Sequence, residues 1–270
     1  MPFGTFGPGL VQKSLITVGS LIPAGRYARK MARPLRSLLR HLSTTPIDIT
    51  VYGRQRMRLH PRGNACETRI LILPHLYDRF ELRLLSHILQ AGSVFIDVGA
   101  NVGIYSIFAA LQAWPTGRVI AVEPHPSALL RLRCNVLLNE LTTVSIEPIA
   151  LCDSVGPVTF KINGRNIGNS SIVFDREKSQ DEFIEVHGET LETLVAKHQL
   201  TKIDAIKLDV EGAEDRVLFP FFANVDPDLW PRLLLVENGA GKWRQDCRTM
   251  LIQRGYRQRK IPSRNMVFMR

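Results

Sequence analysis

The sequence predicts an α/β fold whose centre is a doubly wound, largely parallel sheet. From Val94 onwards, short apolar strands alternate with helix-forming stretches at the spacing of successive β–α–β units. A glycine-containing turn, Gly99 to Gly103, follows the first of these strands, where folds of this class bring the backbone close to a ligand. The 270 residues are enough for one such domain with a small extension.

Residues 1–75 are predicted to form a basic N-terminal extension with a short helix and strands. The strands are expected at residues 47–53 and 69–73, from the runs IDITVYG and RILIL. Residues 26–42 place four leucines on one helical face beside arginines, at Leu35, Leu38, Leu39 and Leu42. This pattern is typical of a helix that lies on an anionic membrane surface, but a transit peptide or a helix packed on its own domain has the same chemistry.

The main domain is predicted to span residues 76–270, and its elements follow in a regular order. A helix over residues 77–89 is ended by Gly92. Three strands then alternate with two helices, the strands being SVFIDV, RVIAVEP and VSIEPIAL. An inserted antiparallel element is expected around residues 154–188, from the strands GPVTFKING and DEFIEVHG. The alternation resumes with IDAIKLDV and RLLLVEN, and two closing strands around YRQRKI and NMVFMR indicate a hairpin at the edge of the sheet.

The formal charge of +10 is concentrated at the two ends of the chain. Residues 1–45 carry +7 and residues 242–270 carry +8, which leaves the central body mildly acidic. This asymmetry indicates a basic face or an ordinary solvated surface, not a domain that is basic throughout. The four cysteines show no metal-ligand spacing and indicate free thiols in a reducing compartment. We therefore expect a cytoplasmic protein, with a peripheral membrane contact through residues 26–42.

The turn after the first strand, from Asp97 to Gly103, favours a cationic ligand. Dinucleotide-binding folds have G-x-G-x-x-G at this place, and its second glycine lets a pyrophosphate approach the backbone. The matching positions here are Gly99, Asn101 and Ile104, so two of the three glycines are missing. Asp97, just before the turn, suits a positive group better than a phosphate. A tight strand-to-helix turn with no ligand would use the same residues.

Carboxylates also stand at the ends of the following strands. Glu123 is placed to accept hydrogen bonds from both hydroxyls of a ribose, and Asp153 to accept one from an adenine amino group. A glutamate before a helix N-terminus and a turn aspartate are the alternatives for these two residues. Asp209 and Glu211 follow the fourth strand, and Glu237 ends the fifth. A ligand with a ribose, an adenine and a positive centre but no phosphate satisfies this set, and S-adenosylmethionine has those parts.

Seven short motifs lie in order between Phe95 and Phe268: FIDVGANVGIYS, AVEPHPSALLRLRCNVLLNE, ALCDSVG, GNSSI, ETLETL, IKLDVEGAE and NMVF. With them the chain resembles the FkbM-type family of class I S-adenosylmethionine-dependent methyltransferases. The resemblance implies a Rossmann-like, seven-stranded sheet with the last strand antiparallel. It implies O-methylation of a hydroxyl on a sugar, a polyketide or another small metabolite, with S-adenosyl-L-methionine as cofactor. The implied cofactor contacts are Asp97, Gly99, Asn101, Gly103, Glu123 and Asp153.

Asp209 and Glu211 are the candidate catalytic bases, because both are expected to face the methyl group that is transferred. Alignment of the acceptor oxygen supplies most of the rate gain in such a displacement, and a base removes its proton. The alternative is that Asp209 orients the methionine part of the cofactor and Glu211 holds the following loop. Asp209 with Glu237 and Asn238 is similar to the acidic set of catechol-type, Mg²⁺-dependent O-methyltransferases. The sequence favours a metal-independent enzyme and assigns no metal ligand.

Two other functions fit parts of the sequence. The basic ends permit RNA 2′-O-methylation, although a nucleic acid is less favoured than a small-molecule hydroxyl acceptor. A non-catalytic cofactor-binding protein, held at a membrane surface by its basic N-terminus, is disfavoured because the strand-end acids are intact. The segment Gly168 to Ile172 is expected either to cover the acceptor pocket or to be an ordinary turn of the insert. The sequence names neither the acceptor nor the oligomeric state.

Overall fold

Three helices and a two-stranded hairpin make up residues 1–75, which we call the N-terminal unit. The computed structural model describes residues 1–164, 166–173, 182–239 and 241–270. The elements of the N-terminal unit are α1 (Leu10–Ser20), α2 (Ala28–Leu42), β1 (Ile47–Val51), β2 (Gln55–Leu59) and α3 (Ala65–Ile72).

Residues 69–73 lie in and just after helix α3, so the strand predicted from RILIL is wrong. The helix begins after Asn64, whose side chain accepts a hydrogen bond from the backbone N–H of Cys66 over 3.0 Å, as an N-cap residue does. The run Ile70–Ile72 is buried. A short apolar run that is buried on all sides has the same pattern in a helix and in a strand. The antiparallel partner of β1 is instead β2.

The N-terminal unit packs on one face of the main sheet through buried apolar side chains. Leu39 of α2 belongs to the same hydrophobic cluster as Met57 of β2 and Phe95 of the first sheet strand. Helix α2 therefore packs on its own domain. Leu38 and Leu42 remain 46% and 49% exposed, so part of the leucine face of this helix is open to solvent. Within the described ranges, no helix combines the length and the hydropathy that a membrane span needs.

The main sheet begins after the fourth helix, and its first strands alternate with helices as predicted. These elements are α4 (Arg79–Ile88), β3 (Val94–Val98), α5 (Ile104–Ala113), β4 (Arg118–Val122), α6 (Pro126–Leu138) and β5 (Val144–Glu147). Strands β3, β4 and β5 pair in parallel.

An inserted four-stranded sheet interrupts the alternation after β5. Its strands are β6 (Ala150–Leu151), β7 (Gly156–Ile162), β8 (Ser171–Ile172) and β9 (Glu182–Glu189). Strands β7 and β9 pair antiparallel, as predicted. The single strand predicted from VSIEPIAL is divided between the two sheets, because Pro148 lacks the N–H that a continuous ladder needs. The backbone N–H of Ile167 donates to the carbonyl of Gly63 over 2.9 Å, which joins the insert to the N-terminal unit.

The remaining elements complete a seven-stranded sheet with one antiparallel strand. They are α7 (Leu191–Lys197), β10 (Ala205–Leu208), α8 (Glu214–Asn224), β11 (Leu233–Glu237), α9 (Cys247–Gln253), β12 (Arg257–Arg259) and β13 (Asn265–Met269). The order across the sheet is β12-β13-β11-β10-β3-β4-β5. Strand β13 is antiparallel to both of its neighbours. The predicted Rossmann-like, doubly wound sheet with its last strand antiparallel is confirmed, and its strand order reverses beside β3, where such sheets bind ligands.

Hydrophobic clusters close both faces of this sheet. Consecutive side chains of a strand point to opposite faces, so Phe95 packs in the cluster that contains the N-terminal unit. Its neighbour Ile96 packs in the other cluster, together with Leu194 of α7 and Phe221 of α8. Because both faces are covered, a ligand can reach the sheet only at the ends of its strands.

Candidate functional site

The carboxyl ends of β3, β4, β10 and β11 lie side by side at one edge of the sheet. Leu208 of β10 pairs with Val98 on one side and with Val236 on the other. Val98 in turn pairs with Val122 of β4. The residues that follow these strands are therefore neighbours in space, although they are far apart in the sequence.

The turn after β3 is held in place by the strands on both sides of it. The backbone N–H groups of Gly99 and Ala100 donate to the carbonyl of Val122 over 3.0 and 2.9 Å. Gly99 has a φ of +76°, and a Cβ at this position would overlap the carbonyl oxygen of Asp209. Position 99 therefore needs glycine both for its backbone conformation and for the close approach of β10.

Glu123 fixes the far side of the same turn. Its Oε2 accepts the backbone N–H of Asn101 over 2.7 Å, and its Oε1 accepts that of His125 over 2.8 Å. Burial raises the pKa of Glu123 to about 7. Each carboxylate oxygen has a second lone pair that a ligand hydroxyl could use.

Asp97 and Lys207 form a buried pair of opposite charge beneath the turn. Asp97 Oδ2 accepts a hydrogen bond from the hydroxyl of Ser106 over 2.6 Å, whereas Oδ1 is buried and has no partner among the described residues. Burial raises the pKa of Asp97, although the charge of Lys207 opposes the shift. Burial also disfavours the charged form of Lys207, but the carboxylates of Asp209 and Asp97 outweigh it and raise the pKa of this lysine. Its ammonium group lies 5.0 Å from the ring centre of Tyr105.

Three carboxylates from the ends of β10 and β11 form an acid cluster, which we define as Asp209, Glu211 and Glu237. Their oxygen atoms all lie within 4.8 Å of one another. Burial, the charges of Asp209, Glu211 and Glu214, and a hydrogen bond with Asp209 raise the pKa of Glu237 to about 8. Burial and then the charge of Asp209 also raise the pKa of Glu211. The cluster therefore tends to hold a proton, or it could hold a cation that prefers oxygen ligands.

Two adjacent cavities that share lining residues open at these strand ends. The narrow cavity lies between the glycine turn, the end of β4 and the insert, and its apolar wall consists of Val98, Val122, Ile149, Leu151, Phe160, Ile167 and Ile172. The wide cavity, of about 370 Å³, lies between the strand ends and the N-terminal unit. The residues that line both are Gly99, Asn101, Gly168, Asp209 and Glu211. Molecules bound in the two cavities would therefore meet beside the acid cluster.

Most of the predicted site residues line these cavities, and two do not. Those in the lining are Asp97, Gly99, Asn101, Glu123, Asp209 and Glu211. Gly103 has a φ of +89° and starts α5, and a Cβ there would come within 2.6 Å of Leu132 Cδ1, so its role in the structure is to pack α5 against α6. Asp153 lies outside both linings, and its partly exposed carboxylate pairs with Arg216 over 3.1 Å.

Other lining residues come from the insert, whose loop was expected either to cover the acceptor pocket or to be an ordinary turn, and from segments that the sequence did not connect with the site. Gly168, Ser170 and Ser171 of the predicted loop segment line the narrow cavity. The wide cavity also receives side chains of the N-terminal unit and of neighbouring segments, among them Arg29, Arg36, Asn64, Arg69, Tyr77, Asp78 and Arg264. The sequence showed Arg29 and Arg36 only as part of a basic helix. That pattern does not reveal which other elements the charged face of the helix meets. Asn238, expected beside Glu237, is exposed and lies outside both linings.

The family profile and the curated relatives that match this chain are all methyltransferases. Residues 97–257, more than half of the chain, match the family profile described as the Methyltransferase FkbM domain. The chain is 29% identical over 197 residues to the 31-O-demethyl-FK506 methyltransferase FkbM of Streptomyces tacrolimicus, covering 63% of this chain and 73% of that protein. It is 26% identical over 170 residues to the methyltransferase sdnD of Sordaria araneosa, covering 53% of this chain and 64% of that protein.

A solved structure with a related name is also similar in part. The methyltransferase FkbM from Methylobacillus flagellatus KT is 14% identical and superposes with a TM-score of 0.46, over 90% of this chain and 60% of that chain.

Proposed function

This chain belongs to the FkbM methyltransferase family, and from that premise we propose that it transfers a methyl group from S-adenosylmethionine to a hydroxyl oxygen of a small molecule. One observation carries the proposal. A narrow, mainly apolar cavity lined by the buried carboxylate of Glu123 lies beside a wider cavity, and Asp209 and Glu211 of the acid cluster line both. The name of the Streptomyces tacrolimicus relative, which describes methylation of a demethylated oxygen, agrees with a hydroxyl acceptor.

S-adenosylmethionine would occupy the narrow cavity and the adjoining end of the wide cavity, since Glu123 lines the former and Asp97 the latter. Glu123 would accept hydrogen bonds from the ribose hydroxyls, since both its oxygens keep a free lone pair. The apolar wall, including Phe160 and Ile149, suits the faces of an adenine ring. Asp97 Oδ1, buried and without a partner among the described residues, would accept from the cationic part of the methionine. When bound, the cofactor supplies an electrophilic methyl group on a sulfonium centre.

The acid cluster would remove the proton of the acceptor hydroxyl. Asp209 lies 3.0 Å from Lys207, so its carboxylate is already paired with a cation. Glu211 and Glu237 have raised pKa values, and a general base works best when its pKa lies near the working pH. We therefore add Glu237 to the candidate bases Asp209 and Glu211. The walls of the wide cavity would align the acceptor oxygen, which contributes more than proton removal.

The size of the wide cavity favours a small acceptor over a nucleic acid. Its volume of about 370 Å³ lies within the range of small-molecule sites. RNA 2′-O-methylation and non-catalytic cofactor binding remain the competing functions, and the experiment below distinguishes them.

We also propose that helix α2 touches a membrane surface. Met31, Leu38 and Leu42 are each about half exposed, and Arg33 and Arg40 are exposed on the same helix. An exposed apolar stripe and exposed arginines elsewhere on the same helix favour contact with anionic lipid.

The experiment measures cofactor binding first and methyl transfer second. Calorimetry with S-adenosylhomocysteine should show one site per chain, and Glu123→Gln should weaken it by about tenfold, because the new amide would set an N–H₂ group against a backbone N–H. Glu140→Gln is the matched control, since the carboxylate of Glu140 is 85% exposed and lies outside both cavities. Mass spectrometry of extract incubated with isotopically labelled cofactor should then reveal a small methylated product. Absence of cofactor binding would refute the proposal, and a label found only in RNA would support the RNA function instead.

A further inference from the structure

Four arginines converge on one wall of the wide cavity. Arg29 and Arg36 come from α2, Arg69 from α3 and Arg264 from the turn between β12 and β13. We call this group the arginine wall. Three separate segments of the chain thus bring positive charge to the same space.

The members of the arginine wall lie close enough to repel one another. Burial, and then the charges of Arg69 and Arg264, lower the pKa of Arg29. Burial, and then the charge of Arg69, also lower the pKa of Arg36. Crowded like charges in a partly desolvated space raise the free energy of the protein, and an anion bound among them would lower it.

The arginine wall forms no ion pair among the described residues, although Asp78 lines the same cavity and its negative charge acts to raise the pKa of Arg29 and Arg69. Among the residues that the structure describes, no carboxylate forms an ion pair with any of the four guanidinium groups. The Nε of Arg36 is buried and has no hydrogen-bond partner in the described part of the chain. The guanidinium of Arg69 lies 4.9 Å from the ring centre of Tyr77, a contact that holds it in place and leaves its N–H groups for a ligand.

The other end of the wide cavity has the opposite charge. Asp209, Glu211 and Glu237 line it beside the glycine turn. An anionic group is repelled there and attracted to the arginine wall, whereas a hydroxyl group can donate to the acids. The cavity therefore orients any molecule that has an anionic group at one end and a hydroxyl at the other.

From this geometry we propose that the methyl acceptor carries an oxyanion group, a phosphate, sulfate or carboxylate, which the arginine wall binds while the hydroxyl faces the acid cluster. The inference rests on the proposed function, because it names the class of acceptor for the same reaction. Guanidinium groups bind such oxyanions with paired, charge-assisted hydrogen bonds.

The first test measures anion binding to the full chain saturated with S-adenosylhomocysteine. Inorganic phosphate, sulfate and citrate are titrated by calorimetry into the parent protein and into Arg36→Gln and Arg69→Gln. The matched control is Arg33→Gln, which removes the same charge from an exposed position on α2 outside the cavity. At least one of the three anions should bind the parent and the Arg33→Gln control with equal affinity. The same anion should bind Arg36→Gln and Arg69→Gln about tenfold more weakly. Affinity for S-adenosylhomocysteine should stay within about twofold throughout.

Three results would overturn the inference. They are an absence of binding by all three anions, an equal loss in Arg33→Gln, and a loss of S-adenosylhomocysteine affinity in the wall variants. The last result would mean that the arginines bind the carboxylate of the cofactor. If S-adenosylhomocysteine itself fails to bind the parent, the proposed function fails; if it binds and no anion does, only this inference fails.

The second test examines the product made from extract with labelled cofactor. The methylated product should be retained by an anion-exchange column, and a neutral product would contradict the inference. Extract separated into lipid and aqueous fractions identifies the source, because a lipid headgroup follows the organic phase and a free metabolite the aqueous phase. Loss of the product after ribonuclease treatment would also contradict the inference, because the acceptor would then be RNA.

Discussion

The ammonium nitrogen of Lys207 lies 3.0 Å from Oδ2 of Asp209, two residues further along the chain. In the sheet register Lys207 also stands opposite Asp97 of β3. One buried cation thus compensates two carboxylates at the point where the strand order reverses.

Lys207→Met should destabilise the protein by about 3–5 kcal/mol, because it leaves the Asp97 carboxylate buried without a cation. Urea unfolding measures this loss. Acidification should recover part of it, since protonation of Asp97 and Asp209 removes the uncompensated charge. Lys202→Met is the control, because Lys202 is 56% exposed and lies 3.6 Å from Asp204, a surface pair that contributes at most about 1 kcal/mol. Equal losses in the two variants would contradict the compensating role of Lys207.

Gly99→Ala should abolish binding of S-adenosylhomocysteine. It should also destabilise the fold by more than about 1–3 kcal/mol, which is the usual cost of a non-glycine residue in the left-handed backbone conformation. The additional loss comes from the overlap between the new Cβ and the carbonyl of Asp209. Gly53→Ala is the matched control, because Gly53 has a similar φ of +85° but no atom within 4 Å of the added Cβ. Thermal unfolding and calorimetry check both variants. If the two substitutions had the same effect, the contact with Asp209 would not explain the glycine.

Glu237→Gln should change how stability depends on pH. Burial and the neighbouring acids raise the pKa of Glu237 from its ordinary value of 4.5 to about 8, so the folded state binds this proton more tightly than the unfolded state. The contribution of this proton to the free energy of unfolding is therefore fully present below about pH 4.5, and it is lost as the pH rises towards and beyond 8. Since glutamine cannot ionise, the variant should gain stability relative to the parent over this window.

Urea unfolding across that pH window tests Glu237→Gln against Glu140→Gln, whose carboxylate is 85% exposed. If the free energies of unfolding of the parent and of Glu237→Gln depend on pH in the same way, Glu237 does not retain a proton in the folded state. A rate of methyl transfer that rises with pH in the parent and not in Glu237→Gln would support its role as the base.

Methyl transfer should persist in the presence of a strong chelator such as EDTA. The acid cluster has other means to offset its charge, since Lys207 pairs with Asp209 and the Nζ of Lys242 lies 4.0 Å from Glu211 Oε2. Activity assays with and without chelator provide the measurement. A complete loss that Mg²⁺ restores would show instead that the three carboxylates hold a metal ion.

Substitution of Leu38 and Leu42 together by serine should weaken sedimentation of the protein with phosphatidylglycerol vesicles. The matched control replaces Leu130 and Leu137, which are 66% and 77% exposed elsewhere on the surface. Binding of the parent should fall with added salt, because arginines of α2 supply part of the attraction. If the parent does not sediment with these vesicles, or both double variants behave alike, the membrane contact is wrong.

The alternation of strands and helices could be predicted because each buried parallel strand is a short apolar run between helix-forming stretches. The same logic failed for residues 69–73, where an apolar run belongs to α3. It also failed at Pro148, which divides one predicted strand between two sheets. Both errors concern short segments whose partners lie far away in the sequence.

The convergence of Asp97, Glu123 and Asp209 could be predicted, since parallel strands end at one edge of the sheet. The arginine wall could not, because the sequence of α2 shows that one face is basic and does not show that this face meets α3 and Arg264. Asp153 illustrates the opposite problem: it ends a predicted strand, yet its side chain pairs with Arg216 outside both cavities. Whether it contacts the adenine stays a prediction.

The hydrogen bond from Ile167 to Gly63 couples the walls of the two cavities. It joins a segment inside the family match, residues 97–257, to one that precedes the match. The strand-end wall of the wide cavity lies within the family match, whereas Arg29, Arg36 and Arg69 on the facing wall precede it. A displacement of the N-terminal unit would therefore move the insert with it, and the widths of both cavities would change together.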